Sequence, residues 1–362
     1  LLLVATLVAC SASGAGGATT SLSGAGAGSG ATNGADATTD GSASAGSSGS
    51  SSSSSSNASS PSASSSSTTS TVAVTIVPAG GFADVAAGAA LGPVPAGAHV
   101  KGAASDEPVL YHDGCHLAVA AVEPKLCEFG DTTSSTTVVV TGDSHAAAWF
   151  GAFEEAAKAN HWRLVMVTKS GCPTADVTVY KSEPSVRNKP YLECDTWRKN
   201  AIEFIRSLHP SVVVFPMLSR RAAIGFTRPA LGAWQAGMER SISGVEAPGV
   251  KVLVLGDVPL TRGQQVPACV AAHLADVSVC ANTRAKAVLT ERIAMEQAAA
   301  VARGATFVDV SDWICTDSVC PVVIGGEVVY RDEHHLTDRF SRYRSPQIAA
   351  AVQLALAGVD AH

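Results

Sequence analysis

Basic residues are outnumbered in this chain, 25 Lys and Arg against 31 Asp and Glu. The net charge of −6 and a pI near 5.9 give no electrostatic case for a nucleic-acid partner. Past the first residues no apolar run is long enough to span a bilayer. Neither Cys-x-x-Cys nor His-Glu-x-x-His occurs, so the usual zinc spacings are missing. No metal and no cofactor is expected. From Ser11 to Thr71 there is no basic residue and, Leu22 aside, no large apolar one. This stretch of Ser, Ala, Gly and Thr carries only Asp36 and Asp40 and includes a serine run, Ser50 to Ser56. Nothing in it can offset the entropy of ordering, so a disordered tether is expected, with a reach on the order of 40 Å.

What precedes the tether is apolar. The chain opens Leu1-Leu2-Leu3-Val4-Ala5-Thr6-Leu7-Val8-Ala9-Cys10, with no initiator Met and no basic n-region. It reads as the end of a signal-peptide h-region. Leu7-Val8-Ala9-Cys10 resembles the bacterial lipobox, which implies cleavage before Cys10, lipidation of that cysteine, and a protein held at an extracytoplasmic membrane surface. The other reading is an ordinary cleaved signal peptide with an incidental cysteine. The chain is therefore divided into a signal-peptide remnant (1–9), a tether (10–71), an N-terminal extension with a Cys-bracketed segment (72–135) and a main domain (136–362).

Eight further cysteines fall in locally spaced twos: Cys115 and Cys127, Cys172 and Cys194, Cys269 and Cys280, Cys315 and Cys320. An even set in an exported chain reads as disulfides, and near-neighbour pairing is expected because each pair brackets a loop between proposed elements. About 290 residues remain after the tail, ample for one α/β domain.

Their pattern alternates strand with helix. Thr136–Thr141, Trp162–Thr168, Ser211–Pro216, Val250–Leu255 and Thr306–Val310 read as strands. Ala146–Ala159, Cys194–Leu208, Trp234–Ile242, Ala281–Ala302 and Asp338–Leu356 read as helices. Val72–Val77 is a weak candidate for an earlier strand, and Tyr111–Gly130 is expected to lie over the sheet. This alternation predicts an α/β fold, a doubly wound, flavodoxin-like parallel sheet of about five strands with helices on both faces.

The chain is organised around Val138-Val139-Val140-Thr141-Gly142-Asp143-Ser144-His145. Three valines suit a central strand covered on both faces, and a serine just past it stands at the carboxyl edge of the sheet, where open α/β folds bind ligands. The following helix aims backbone N–H groups at charge developing beside that serine. Taken alone, Gly-Asp-Ser also fits an Asx turn that caps a helix. Near the end comes Tyr330-Arg331-Asp332-Glu333-His334-His335-Leu336-Thr337. Asp332 and His335 are three apart, so the carboxylate can accept from imidazole Nδ1–H and leave Nε2 to take the proton of Ser144. Two alternatives stand beside this: Asp332 capping the last helix with surface histidines, and a metal site built from Asp332, His334, His335 and His145. His112 and His116 read as surface or structural residues.

Together these blocks resemble the SGNH (GDSL-like) hydrolase superfamily. More narrowly, they resemble the SGNH domain at the C-terminus of acyltransferase-3 membrane proteins, which O-acylate bacterial surface glycans. Thr141-Gly142-Asp143-Ser144-His145, Lys169-Ser170-Gly171-Cys172-Pro173 and the Asp332 to Thr337 block carry the likeness. It implies Ser144 as nucleophile, His335 as general base and Asp332 as its orienter. It also implies an oxyanion hole from the Ser144 N–H and Gly171, with Ser170 as the alternative donor. The family's Gly-x-Asn-Asp block is replaced by Phe215-Pro216-Met217-Leu218-Ser219-Arg220-Arg221, which has no Asn. Ser219 or Arg220 would have to substitute, or turnover would be low, since one lost donor costs about 10²–10³ in kcat. Arg220 could instead meet the substrate. The resemblance implies an esterase or O-acyltransferase working on acyl esters, acetyl first, of a cell-surface glycan. The alternatives are an inactive glycan-binding module and a partner of a membrane acyltransferase acting in trans.

Overall fold

Val138, Val139 and Val140 form the centre of the sheet. In the computed structural model, which describes residues 82–181, 188–218 and 230–358, they belong to strand β3 (Thr137–Gly142), where every residue is buried. Strands β1 (His116–Leu117) and β2 (Glu128–Gly130) precede it. Strands β4 (Arg163–Lys169), β5 (Val212–Pro216), β6 (Lys251–Leu255) and β7 (Thr306–Val308) follow. All belong to a compact unit spanning Thr68–His362. Cys10, the tether, Val72–Val77, Ser219 and Arg220 lie outside the described residues.

β3 pairs in parallel with β4 and β5, β5 with β6, and β6 with β7, so the parallel strands run β4-β3-β5-β6-β7. The chain starts in the middle, winds one way to β4, then crosses back over β3 and continues to the far edge. This is the expected doubly wound, flavodoxin-like order, and its switch point lies between β3 and β5.

The sheet is wider than the five strands expected. The Cys-bracketed segment extends its edge instead of lying over it. β1 runs parallel to the end of β4, with His116 opposite Thr168. β2 runs antiparallel to its start, with Phe129 opposite Leu164, giving seven strands. Strands of two and three residues show too little periodicity to be read from sequence.

Helices cover both faces. Successive side chains of a strand point to opposite sides. Val138, Val140, Leu164, Met166, Val212 and Val214 pack beside α1 (Ser144–Ala148), α2 (Phe150–Asn160), α6 (Asp338–Tyr343) and α7 (Ser345–Ala357) through Phe150, Phe153, Phe340, Ile348 and Val352. Val139, Val165, Val213, Phe215 and Phe307 pack beside α3 (Leu192–Ser207), α4 (Leu231–Val245) and α5 (Thr290–Ala302) through Trp197, Ile205, Trp234, Met238 and Met295.

Three expected helices are divided. The helix after β3 starts at Ser144 and is interrupted at Trp149. Ala281–Ala302 is not one helix. Asn282–Thr283 pairs with Val319–Cys320, a turn of helix follows at Arg284–Ala287, and α5 begins only at Thr290. Asp338–Leu356 breaks at Arg344, whose N–H returns to the Phe340 and Ser341 carbonyls. Pro346 then sits in the first turn of α7, where its missing N–H costs nothing.

All four expected disulfides form: Cys115–Cys127, Cys172–Cys194, Cys269–Cys280 and Cys315–Cys320. They suit an oxidising, extracytoplasmic compartment. Among the described residues no helix is long and apolar enough to cross a membrane.

Candidate active site

The site is built at the carboxyl rim, beginning with a glycine that only glycine can replace. A Cβ on Gly142 would fall on the Pro216 carbonyl oxygen and lie 2.7 Å from the Ala146 Cβ. The ends of β3 and β5 therefore approach at a distance no side chain allows. Asp143 follows, fully buried, and caps α1 by accepting from the His145 N–H at 2.9 Å. The same carboxylate accepts from the Leu218 N–H at 3.0 Å, tying the exit of β5 to the Ser144 turn. The aspartate caps the helix, as the Asx-turn reading of Gly-Asp-Ser has it, and the next residue, Ser144, lines the cleft. Ser144 is the first residue of α1, so its own N–H has no acceptor within the helix.

Ser144, His335 and Asp332 come together. His335 Nε2 stands 2.8 Å from Ser144 Oγ, and His335 Nδ1 stands 2.6 Å from Asp332 Oδ2. The other oxygen of Asp332 accepts from the backbone N–H groups of His334 and His335, each at 2.8 Å. Asp332 does not cap the closing helix, whose first part is α6. Thr337 caps α6, accepting from the Phe340 N–H at 3.1 Å. Burial opposes the Asp332 charge, but the hydrogen bond and charge of His335 and the two N–H groups outweigh it and hold the carboxyl well below its usual range. Burial lowers the His335 pKa, partly countered by Asp332 and reinforced by His145.

These groups open into a cleft of about 420 Å³ that also touches Ser170, Gly171 and Leu218. Gly171 adopts φ +59°, a left-handed conformation that suits glycine in the turn after β4. The Ser170 N–H donates to the Leu117 carbonyl at 2.8 Å, so it is committed to β1 and does not face a substrate. The loop is held from below by Lys169, fully buried, whose Nζ donates to the carbonyls of Ala118, Val119 and Ala121 at 2.9, 2.6 and 2.5 Å.

Across the cleft Arg331 donates to Glu107 at 2.8 Å and lies over the Tyr111 ring, 4.5 Å from its centroid. Burial raises the Tyr111 pKa to about 12. His116 also lines the cleft, its Nδ1 3.1 Å from Thr168 Oγ1, and burial, with smaller repulsion from His335, Arg331 and Lys169, lowers its pKa to about 4. His112 is exposed beside Glu107.

A second hydrogen-bonded chain stands beside the first; it joins His145 and His334, which the sequence offered as metal candidates, to Asp257, which was not singled out. Asp257, just past β6, lies 2.6 Å from His145 Nδ1, and His145 Nε2 lies 3.0 Å from His334 Nδ1. His145 is 3% exposed. The His334 and His335 rings sit 3.9 Å apart between centroids. The one available signal for Asp257 was a Gly-Asp step directly after an apolar strand, the same grammar that marks Ser144.

No curated protein matches the sequence. Among solved structures, the periplasmic domain of a lipopolysaccharide acetyltransferase from Salmonella ser. Paratyphi A is similar at 14% identity and TM-score 0.49, over 67% of this chain and 87% of that one. A carbohydrate esterase family 2 enzyme with its carbohydrate binding domain from Corynascus thermopiles (Myceliophthora fergusii) is similar at 15% identity and TM-score 0.39, over 62% and 67%. A GDSL-like lipase from Bacteroides thetaiotaomicron is similar at 14% identity and TM-score 0.33, over 61% and 88%. Residues 114–350 match the family described as the SGNH domain fused to AT3 domains, and the chain belongs to that family.

Proposed function

We propose that this protein is an extracytoplasmic serine esterase or O-acyltransferase that acts on acyl esters, acetyl first, of a cell-surface glycan. The observation that carries the reading is the hydrogen-bonded chain from Ser144 Oγ through His335 to Asp332 at the floor of an open cleft.

The chemistry follows from that chain. Asp332 accepts from His335 Nδ1–H and fixes the tautomer, so Nε2 carries the lone pair that faces the Ser144 hydroxyl. Ser144 Oγ attacks the ester carbonyl carbon while its proton passes to Nε2. The resulting oxyanion is met by the Ser144 N–H and the Gly171 loop. Collapse expels the alcohol, which takes the proton from Nε2 and leaves an acyl group on Ser144. Water then deacylates it in an esterase, or a glycan hydroxyl in a transferase, with His335 again accepting the proton.

Lipidation at Cys10 and the tether would place the domain above a membrane, within reach of glycan. One sequence feature favours a second reading. The missing Asn block suits a glycan-binding module, or a partner for a membrane acyltransferase in trans, on the same fold.

The test is hydrolysis of p-nitrophenyl acetate by the wild type and Ser144→Ala, with labelling by a fluorophosphonate probe. The expected result is turnover and labelling that both vanish in the variant. Equal rates without labelling would overturn the catalytic reading and leave the binding one.

A further inference from the structure

We propose that His145, His334 and His335 form a binding site for a zinc-class divalent cation inside the cleft, and that its occupation blocks the nucleophile. One ligating atom of each histidine lies within 4.8 Å of those of the other two. The sequence offered no zinc spacing because the three come from two segments 189 residues apart at His145 and His334, brought together at the sheet rim.

The surroundings are those of a metal centre. Histidine ligands ordinarily donate their second ring N–H to a carboxylate, which fixes the tautomer and raises the basicity of the ligating nitrogen. Two of the three already have that arrangement. Asp257 faces His145 Nδ1 and Asp332 faces His335 Nδ1, each at 2.6 Å, so both Nε2 atoms carry the lone pairs. Asp332 thus joins the site as an outer partner and not as a ligand. His145 Nε2 and His334 Nδ1 stand 3.0 Å apart. Two ring nitrogens at that distance need a proton or a cation between them. Tetrahedral zinc, with bonds of about 2.0–2.1 Å to nitrogen, places its ligands about 3.3 Å apart, so the pair needs a shift of only a few tenths of an ångström. His335 closes the third side.

Binding has a chemical consequence. His335 Nε2 cannot ligate a cation and accept the Ser144 proton at once, and these atoms now share a hydrogen bond of 2.8 Å. Metal capture therefore removes the general base. The site itself is independent of the proposed activity; only the blockade rests on it.

The test titrates the untagged full-length chain with Zn²⁺ against a chromophoric chelator, then follows p-nitrophenyl acetate hydrolysis during the same titration. One Zn²⁺ per chain is expected. Asp257→Asn should weaken it by about 10–100-fold, the usual cost of losing an outer-shell carboxylate. His334→Ala, at a half-buried position, should weaken it at least as much. Hydrolysis, normalised to each variant's metal-free rate, should fall in step with occupancy and return on adding EDTA. Absence of stoichiometric Zn²⁺ binding by the wild type overturns the site, as does equal affinity in the wild type and both variants. Zinc binding by a protein with no metal-free hydrolysis upholds the site and overturns the activity instead.

Discussion

Ser144 Oγ and His335 Nε2 meet at 2.8 Å although 191 residues separate them. They do so because β3 and the segment after the last parallel strand leave the same edge of one sheet. Asp332, on the same turn as His335, is the part of this contact most open to substitution. Asp332→Asn keeps the shape of the carboxylate but lets His335 adopt the other tautomer. We expect kcat for ester hydrolysis to drop by about 10³–10⁴-fold with circular dichroism unchanged. A loss of only a few-fold would mean that the base works without its orienter.

The pH profile follows from the same pair. His335 must be neutral to accept a proton, and burial holds its pKa below the ordinary 6.5. The acid limb of kcat/KM should therefore have its midpoint under pH 6.5. Asp332 raises the His335 pKa, so Asp332→Asn should move the midpoint of the residual activity further down. A shift upward would contradict the assignment of His335 as base.

A separate pH effect belongs to stability. His116 has a folded pKa of about 4 against an ordinary 6.5. Above pH 6.5 it is neutral in both states. As pH falls from 6.5 towards 4, the unfolded chain gains a proton that the folded chain refuses, so stability drops across that window. His116→Gln should flatten the fall in melting temperature between pH 6.5 and 4. Parallel curves for the two proteins would show that another group carries the acid loss.

How much of this the sequence disclosed depends on how local each signal is. Val138–Val140, Gly142 and Ser144 lie in one strand-turn-helix, and Asp332 and His335 share one turn, so periodicity and short spacing were enough to single them out. Asp257 and His145 are 112 residues apart and meet only through the strand order, which no spacing rule encodes. The two short edge strands are shaped by pairing with β4, not by their own alternation. The breaks at Trp149, at Val288 and Leu289, and at Arg344 fall inside stretches of good helical composition, where packing overrides propensity.

The disulfides should differ in worth. Cys172–Cys194 closes 22 residues of chain and anchors the loop behind Gly171, whereas Cys315–Cys320 closes 5. Loop entropy assigns about 3 kcal/mol to the first and about 2 kcal/mol to the second. Paired Cys→Ala replacements, measured by urea unfolding, should preserve that order, and the Cys172/Cys194 variant should also lose hydrolysis. A reversed order would show that native contacts, not chain closure, dominate.

Lys169 gives the sharpest test of how the rim is held. Its ammonium is buried and donates to three backbone carbonyls, those of Ala118, Val119 and Ala121. Its ring neighbour Tyr191, 5.2 Å away at the centroid, donates to the carbonyls of Ser170 and Val119. Charged-group hydrogen bonds are worth about 1.5–3 kcal/mol each, and losing three of them, offset by the desolvation that the buried ammonium no longer incurs, costs about 3–5 kcal/mol in all. Lys169→Met fills much of the same volume but supplies no donor. We expect it to lose about 3–5 kcal/mol of unfolding free energy and to lower kcat/KM further than stability alone explains, because the Gly171 turn loses its support. Urea unfolding at a temperature where the variant is fully folded separates the two effects. An unchanged unfolding free energy would mean that water replaces the ammonium at no cost, and that the Gly171 turn is held instead by the Cys172–Cys194 bridge.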